Sequence, residues 1–444
     1  MTRGILTCAA LLAATGCAAT APGGAPTPTG PAPMRLAEFR HLADSLVLGP
    51  AFRNAQWGVL VVDAATGDTL YSHNAGKLFM PASNQKLLTG ATALAQLGAD
   101  YRFATTFAAS GAVADGVLAG DLIVEPSGDP TFADVLWNGD HRNAFRAMAD
   151  SLAAHGVRHV AGRLVRGATP FPDEPCGYGW EYGDLDDAFA ACVQDLMVNE
   201  GARHIPRARF AGDTATTEVS IREMRGAWWS ALRTAMVERG ITAAGGVDTA
   251  GVADPAPRTP LFTMRSPTLR VILAQMMKPS QNQVAEILFK TLGRERAGVG
   301  TADSGRRVVE RQLVAWGADT AGFAVRDGSG VSRHDYVTPE TIMRVLDAMR
   351  RSPNADAWLA SLPIAGVDGT IRNRMRGTPA QGNVRAKTGT LDKTRSLSGY
   401  MNTADGRLLM FSFLCNAFTT PNAAVERVQD TILVTLASRG YPAR

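Results

Sequence analysis

Ser83-Asn84-Gln85-Lys86 places a hydroxyl and an amine three residues apart. On a helix that spacing puts both on one face, one turn apart. A serine hydroxyl is a poor nucleophile until a neighbour takes its proton. A lysine can do so when burial or another cation lowers its pKa. Near a helix start, Ser83 would also gain free backbone N–H groups and the positive dipole end, both suited to a developing oxyanion. Taken alone, the pattern describes a solvated helix face equally well.

Two further clusters carry complementary chemistry. Ser280-Gln281-Asn282 follows Pro279 and precedes the apolar run Val284 to Leu288, so it sits in a turn where a helix begins. Its hydroxyl could relay a proton, and the Asn282 amide could hold a substrate peptide group and the reactive lysine. A simple helix cap is the plainer alternative. Lys387-Thr388-Gly389-Thr390 follows Val384-Arg385-Ala386 and precedes another apolar run. It reads as an edge strand with a cation, hydroxyls and a glycine that permits close backbone approach. Such a strand can pair with an extended peptide, while Lys387 and Thr388 attract its terminal carboxylate. Ser329, between Gly328 and Gly330, lacks the spacing of a hydrolase nucleophile elbow and reads as a turn.

The elements that must position these groups are partly legible. Residues 36–48 have helical spacing of Leu36, Phe39, Leu42 and Leu46. Trp57 to Asp63, a turn at Ala64 to Asp68 and Thr69 to Tyr71 read as a hairpin. Ser83 to Leu97 follows as a helix. Near the other end, Ser396 to Met401 and Leu408 to Cys415 flank Ala404-Asp405-Gly406 as a second hairpin, and Ala423 to Ala437 closes as a helix. Hairpins at both ends, each beside a helix, suggest one shared sheet. The expected organisation is a catalytic domain from residues 35–104 and 263–444, with an inserted accessory region at 105–262 that is rich in glycine and short strand-like runs.

Composition bounds the function. The chain has 444 residues, 45% hydrophobic and 19% charged, enough for a sizeable core in more than one unit. A net charge of +4 without a long basic run argues against nucleic acid. The seven histidines are scattered, and neither a Cys/His zinc spacing nor His-Glu-x-x-His occurs, so no metal or organic cofactor is expected. Arg3, the apolar stretch Ile5 to Ala14 and the small residues before Cys17 read as an export signal over residues 1–17. Cys17 is also a lipidation candidate, which would tie the protein to a membrane through residues 18–34, a Pro/Gly/Ala/Thr-rich tether. In an oxidising compartment Cys176 and Cys192 could pair, whereas Cys415 lies in an apolar run and reads as a buried thiol.

The three clusters in this order resemble the motif set of β-lactamases and penicillin-binding proteins. The chain resembles the D-alanyl-D-alanine carboxypeptidase/endopeptidase family, the class C low-molecular-mass penicillin-binding proteins, over roughly residues 35–440. The likeness runs through Met80 to Leu87, Ser266 to Leu269 and on to Asn282 with Ala285-Glu286, Asp327 to Arg333, Gly366 to Thr370, Ala386 to Leu391 and Leu397 to Tyr400. It also includes Ser127 to Phe132 and Trp180 with Asp184-Leu185. The long separation of Ser83 from Ser280 fits this family, which carries extra domains between its first two motifs. Gln281, Gln283 and Lys393-Thr394-Arg395 depart from its usual pattern.

The resemblance implies an α/β fold, an antiparallel sheet flanked by helices with a β-rich insertion. It implies catalytic roles for Ser83, Lys86, Ser280, Asn282 and Lys387. Thr388, Gly389 and Thr390 would bind substrate, and Asp129 and Arg333 would help hold its side chain. The implied partners are peptidoglycan stem peptides and β-lactams, bound without a cofactor. A β-lactamase, or a non-catalytic peptidoglycan-binding module, is the alternative.

Overall fold

The computed structural model describes residues 33–206, 216–251 and 258–441. The signal segment, Cys17 and nearly all of the tether lie outside the described residues.

Both ends of the chain do build one sheet. Its five strands run in the order Arg385–Leu391, Thr394–Asn402, Leu408–Asn416, Gln56–Asp63, Thr69–His73. Every neighbouring pair is antiparallel, with Val59 opposite Phe413 and Leu397 opposite the same Phe413 from the other side. The alternation of apolar side chains splits between two faces. Val59, Val61, Leu397, Phe411 and Phe413 pack under the terminal helices Leu36–Val47 and Asn422–Arg439. Leu60, Val62, Tyr400, Met410 and Leu414 face the larger core. Both faces are covered, which is why these strands read as continuous apolar runs.

That larger core contains the helix Gln85–Leu97, whose residues 85–94 are all buried. Small residues let it sit deep among other helices. A Cβ on Gly90 would lie 2.7 Å from Met277 and 2.8 Å from Leu273, both on the helix Leu269–Met277. Burying Leu87, Leu88 and Leu94 stabilises this arrangement by roughly 1.5–3 kcal/mol each. The helices Asn282–Ala297 and Ala302–Ala315 complete the layer.

Between the catalytic motifs lies the β-rich region. A five-stranded sheet runs Val247–Asp248, Leu164–Arg166, Leu122–Glu125, Ala104–Ala109, Thr259–Arg265. Ala104–Ala109 and Thr259–Arg265 pair antiparallel, so the chain leaves for this region and returns from it side by side. A smaller four-stranded sheet and the helices Arg142–Ala154 and Met224–Glu238 lie with it. Phe132, Phe145, Trp228 and Trp229 form their aromatic centre.

Cys176 and Cys192 form a disulfide, and Cys415 is a buried free thiol. Among the described residues no helix is long and apolar enough to cross a membrane.

Candidate active site

Ser83 lies in the single 3₁₀ turn Ala82–Asn84, which feeds directly into the helix Gln85–Leu97. The turn is pinned to the sheet. Asn416 accepts from the Met80 N–H at 2.8 Å, and the Ser396 hydroxyl donates to the Pro81 carbonyl at 2.7 Å. Ala82 is held at φ +47°, a left-handed conformation that non-glycine residues adopt only where their surroundings impose it.

Lys86 is fully buried, and its Nζ reaches three oxygens. These are Ser83 Oγ at 2.9 Å, the Ser329 carbonyl at 2.8 Å, and Asn282 Oδ1. The Asn282 amide is not free to flip, because its Nδ2 donates to the Phe189 carbonyl at 2.6 Å. Its oxygen therefore faces Lys86. Burial lowers the Lys86 pKa to about 7, against the opposing pull of the Asp327 and Glu286 carboxylates. Once neutral, Lys86 has two N–H bonds for two pure acceptors, the Asn282 and Ser329 oxygens. The lone pair is then left for the Ser83 hydroxyl proton.

A second lysine belongs to the same cluster. Lys387 Nζ donates to Ser280 Oγ at 2.7 Å and to the Thr388 carbonyl at 2.9 Å. It is buried, and burial together with the charge of Lys86 holds its pKa well below the usual lysine range. Ser280 is presented at φ +69°, in the turn before the helix Asn282–Ala297. The cap of that helix is neither Ser280 nor Asn282 but Gln281, whose side chain accepts from the Gln283 N–H at 2.9 Å. Both polar side chains of the motif are thus released from capping and turned toward the lysines.

The strand Arg385–Leu391 is a sheet edge. The Ala386 N–H points outward, donating to the Pro363 carbonyl at 3.0 Å. Strand alternation then directs the Thr388 and Thr390 N–H groups outward too. Gly389 lets the strand press against the nucleophile turn. A Cβ there would lie 2.5 Å from the Pro81 carbonyl and 3.0 Å from the Ser83 nitrogen, and would collide with Ser396 Oγ. Gly389→Ala is therefore expected to cut the penicillin acylation rate by roughly 10²-fold, the cost of misplacing reacting groups by about 1 Å. Stopped-flow or fluorescent-penicillin labelling of folded variant at wild-type rate would refute this.

The expected substrate-contacting pair has partners within the protein. Arg333 lies near the site but is already engaged, by Asp184 at 3.0 Å and Glu181 at 3.1 Å. Asp129 is buried, and its Oδ1 accepts from the Thr131 N–H at 2.9 Å and hydroxyl at 2.6 Å. Its burial raises its pKa to about 6. Ser329 is fully buried and contributes its carbonyl rather than its hydroxyl to Lys86.

Several parts of the site lie outside the three catalytic clusters, and their roles are not read from the sequence. Beneath Lys86 sits a cluster of buried carboxylates, Glu286, Asp327 and Asp335, tied to the N–H groups of residues 326–330 and of Ser332. The disulfide-closed segment 176–192 lies against the second motif. It supplies the Phe189 carbonyl to Asn282, and the Ala188 and Ala191 carbonyls to Gln283 Nε2 at 2.8 and 3.2 Å. Its Trp180 indole donates to Asp327 at 2.9 Å. Gln281 and Gln283, the departures from the expected pattern, thus serve as cap and loop anchor. Arg395 folds back onto its own hairpin, donating to the Leu391 and Thr394 carbonyls at 3.0 and 2.8 Å.

Among the described residues, Asp134, Asp140 and His141 bring metal-type donors together. Asp140 is already bound by Arg142 at 2.8 Å and Arg146 at 3.2 Å, and His141 by Asp134. These pairings explain the cluster without an ion.

The profile of the D-Ala-D-Ala carboxypeptidase 3 (S13) family matches residues 40–227 and 211–439. The chain belongs to this family. It is a serine-type peptidase of the D-Ala-D-Ala carboxypeptidase class, which does not favour the β-lactamase or bare binding-module alternative. A D-alanyl-D-alanine carboxypeptidase of Actinomadura sp. (strain R39) is 36% identical, covering 91% of this chain and 85% of its own. Carboxypeptidase DacB of Mycolicibacterium smegmatis is 30% identical over 90% of this chain and 84% of its own. In fold, the chain is similar to penicillin binding protein 4 (dacB) from Haemophilus influenzae, with TM-score 0.77 at 22% identity, covering 91% of this chain and 100% of that one. A predatory endopeptidase from Bdellovibrio bacteriovorus, solved acylated by penicillin G, matches with TM-score 0.56 at 19% identity, over 88% of this chain and 94% of its own. This S13 peptidase thus has the mixed α/β architecture that its motif order implied.

Proposed function

We propose that this S13 peptidase removes the terminal D-Ala of peptidoglycan stem peptides and cuts D-Ala cross-links through an acyl-enzyme on Ser83. The observation that carries the reading is the bonding of Lys86. Two fixed acceptors take its N–H groups, and Ser83 Oγ lies at 2.9 Å in the remaining direction.

The steps follow from that geometry. Ser83 Oγ attacks the carbonyl between two D-Ala residues as its proton passes to Lys86. The oxyanion is held by the N–H groups of Ser83 and Thr390, which the Gly389 contact brings close together. Collapse expels the D-Ala amine, protonated by Ser280 Oγ, which Lys387 can resupply. The substrate pairs with the outward edge at Thr388 and Thr390. Its terminal carboxylate meets Thr388 and Lys387, and a bound anion restores the charge that burial suppresses on Lys387. Arg333 offers its guanidinium to the side chain of the stem peptide. For Asp129, burial favours a turn role. Water then releases the acyl group and regenerates Ser83. β-Lactams enter by the same acylation.

Terminal D-Ala release and cross-link cleavage are one acyl transfer with two leaving groups, so a single site serves both. A cross-linking synthase must instead hold a second stem-peptide amine ahead of water. The test is incubation with cross-linked muropeptide dimers and with pentapeptide monomers, followed by mass analysis. Monomers from dimers, together with free D-Ala, are the expected products. Net dimer formation from monomers would overturn the assignment.

The protein acts at the cell envelope, as its export-type leader and its peptidoglycan-directed family support. Cys17 carries a lipid, with residues 18–34 as tether. A Cys17→Ala protein is expected in the soluble fraction of the envelope. Continued partition with membranes would count against the anchor.

A further inference from the structure

Glu286 is the buried carboxylate that the steps above leave unused. It sits on the helix Asn282–Ala297, one turn beyond Asn282, so both side chains project from the same face. Its Oε1 accepts the Gly328 N–H at 3.0 Å and the Ser329 N–H at 2.8 Å, and its Oε2 lies 3.1 Å from the Gly328 nitrogen. The carbonyl of that same Ser329 accepts from Lys86 Nζ at 2.8 Å. The helix therefore reaches Lys86 by two routes. One is direct, through Asn282 Oδ1, and the other runs through Glu286 and the backbone of residues 328–329.

We propose that Glu286 is a positioning residue for the Ser83–Lys86 pair: by accepting the Gly328 and Ser329 N–H groups it aims the Ser329 carbonyl at Lys86 Nζ, and so directs the lysine lone pair to Ser83 Oγ. The proposal rests on the reading of Lys86 as base. It adds a reason why the loop cannot rotate. The segment is crowded, since a Cβ on Gly328 would lie 2.6 Å from the Ala285 carbonyl, on the same helix. Asp327 holds the far side of the loop, accepting from the Gly330 N–H at 2.6 Å and the Ser332 N–H at 2.7 Å, and it shares the Ser329 N–H with Glu286 at the longer distance of 3.1 Å. Asp335 in turn accepts from the Arg326 N–H at 2.6 Å. Lys290, the cation one turn further along the helix, is spoken for by Asp173 at 2.7 Å and leaves Glu286 to the amides.

What the loop needs from Glu286 is an acceptor oxygen. Glutamine keeps one at the same reach, while alanine and methionine keep none, methionine preserving the volume. The experiment measures the first-order acylation rate and the pre-equilibrium binding constant separately, with a fluorescent penicillin, on the purified mature protein. Glu286→Ala and Glu286→Met are expected to slow acylation by roughly 10- to 100-fold at nearly constant binding. Glu286→Gln is expected to recover most of that loss, to within about threefold of wild type, as one acceptor oxygen replaces another. Lys86→Ala is run alongside. If Lys86→Ala acylates normally, the base assignment itself fails. If Lys86→Ala is inactive but Glu286→Met, folded by thermal melting, acylates like wild type, only the positioning role fails. Glu286→Gln as slow as Glu286→Met would also overturn it, because charge or packing and not amide acceptance would then be responsible. Should both apolar variants fail to fold, the Glu286→Gln rate alone still decides, since a large loss there is incompatible with the proposal.

Discussion

Ser83→Ala is expected to yield no covalent adduct with penicillin, by intact mass, at any incubation time that fully labels the wild type. The change removes one oxygen from a turn whose position is set by other groups. Met80 and Pro81 are held by Asn416 and Ser396, and the following helix is buried along its first ten residues. The structural cost is the single hydrogen bond to Lys86, about 1 kcal/mol, so the variant should melt close to the wild type. D-Ala release from pentapeptide should be lost in parallel, because neither of the other two serines of the cluster is placed to substitute. Ser280 is bonded to Lys387, and Ser329 is buried with its hydroxyl turned toward Asp327. Peptide mapping that placed the adduct on Ser280, Ser329 or elsewhere would sink the assignment.

Replacing Lys86 should be nearly as damaging, and its pH signature is specific. Loss of a positioned general base costs roughly 10²–10⁴-fold, so Lys86→Ala should retain only slow acylation. Lys86→Arg should be no better, since a guanidinium does not give up its proton near neutral pH. In the wild type the base must be neutral to act. With its pKa lowered to about 7, Lys86 is charged below that value, and acylation should fall tenfold for each pH unit well below it. Above that pH the rate should level off. The sign follows from burial, which disfavours the ammonium and so releases its proton at lower pH than an exposed lysine would. A wild-type profile that stayed flat through neutrality into mild acid would exclude Lys86 as the titrating base, as would full activity in Lys86→Ala.

These expectations rest on residues that the sequence alone could name, and the reason is local. Ser83 and Lys86 are related by helical spacing, which survives whatever the rest of the fold does. Lys387 to Thr390 announce an edge strand because glycine and hydroxyl-bearing residues there have no core to fill. The two terminal hairpins showed continuous apolar strands because helices cover both faces of their sheet. Each of these signals is written in residues within one or two turns of each other.

Other features depend on contacts that no local pattern encodes. Glu286 ends a family-like stretch, but its contact with the backbone of residues 328–329 exists only once that loop folds onto the helix. Asn282 could have been a cap; it faces Lys86 because Gln281 caps the helix and the Phe189 carbonyl fixes the amide. The pairing of Cys176 with Cys192 was open in the sequence, since disulfide geometry is a property of two backbones and not of spacing. Asp129 and Arg333 show the same limit from the other side. Their residue types suit a substrate contact, and only the tertiary structure shows the partners they have within the protein, Thr131 for Asp129 and Asp184 for Arg333. The sequence by itself determined which side chains can do the chemistry. The tertiary structure decided which are buried, which N–H bonds are already spent, and therefore where the lysine lone pair points. Burial and hydrogen-bond direction are collective properties of segments far apart in the chain.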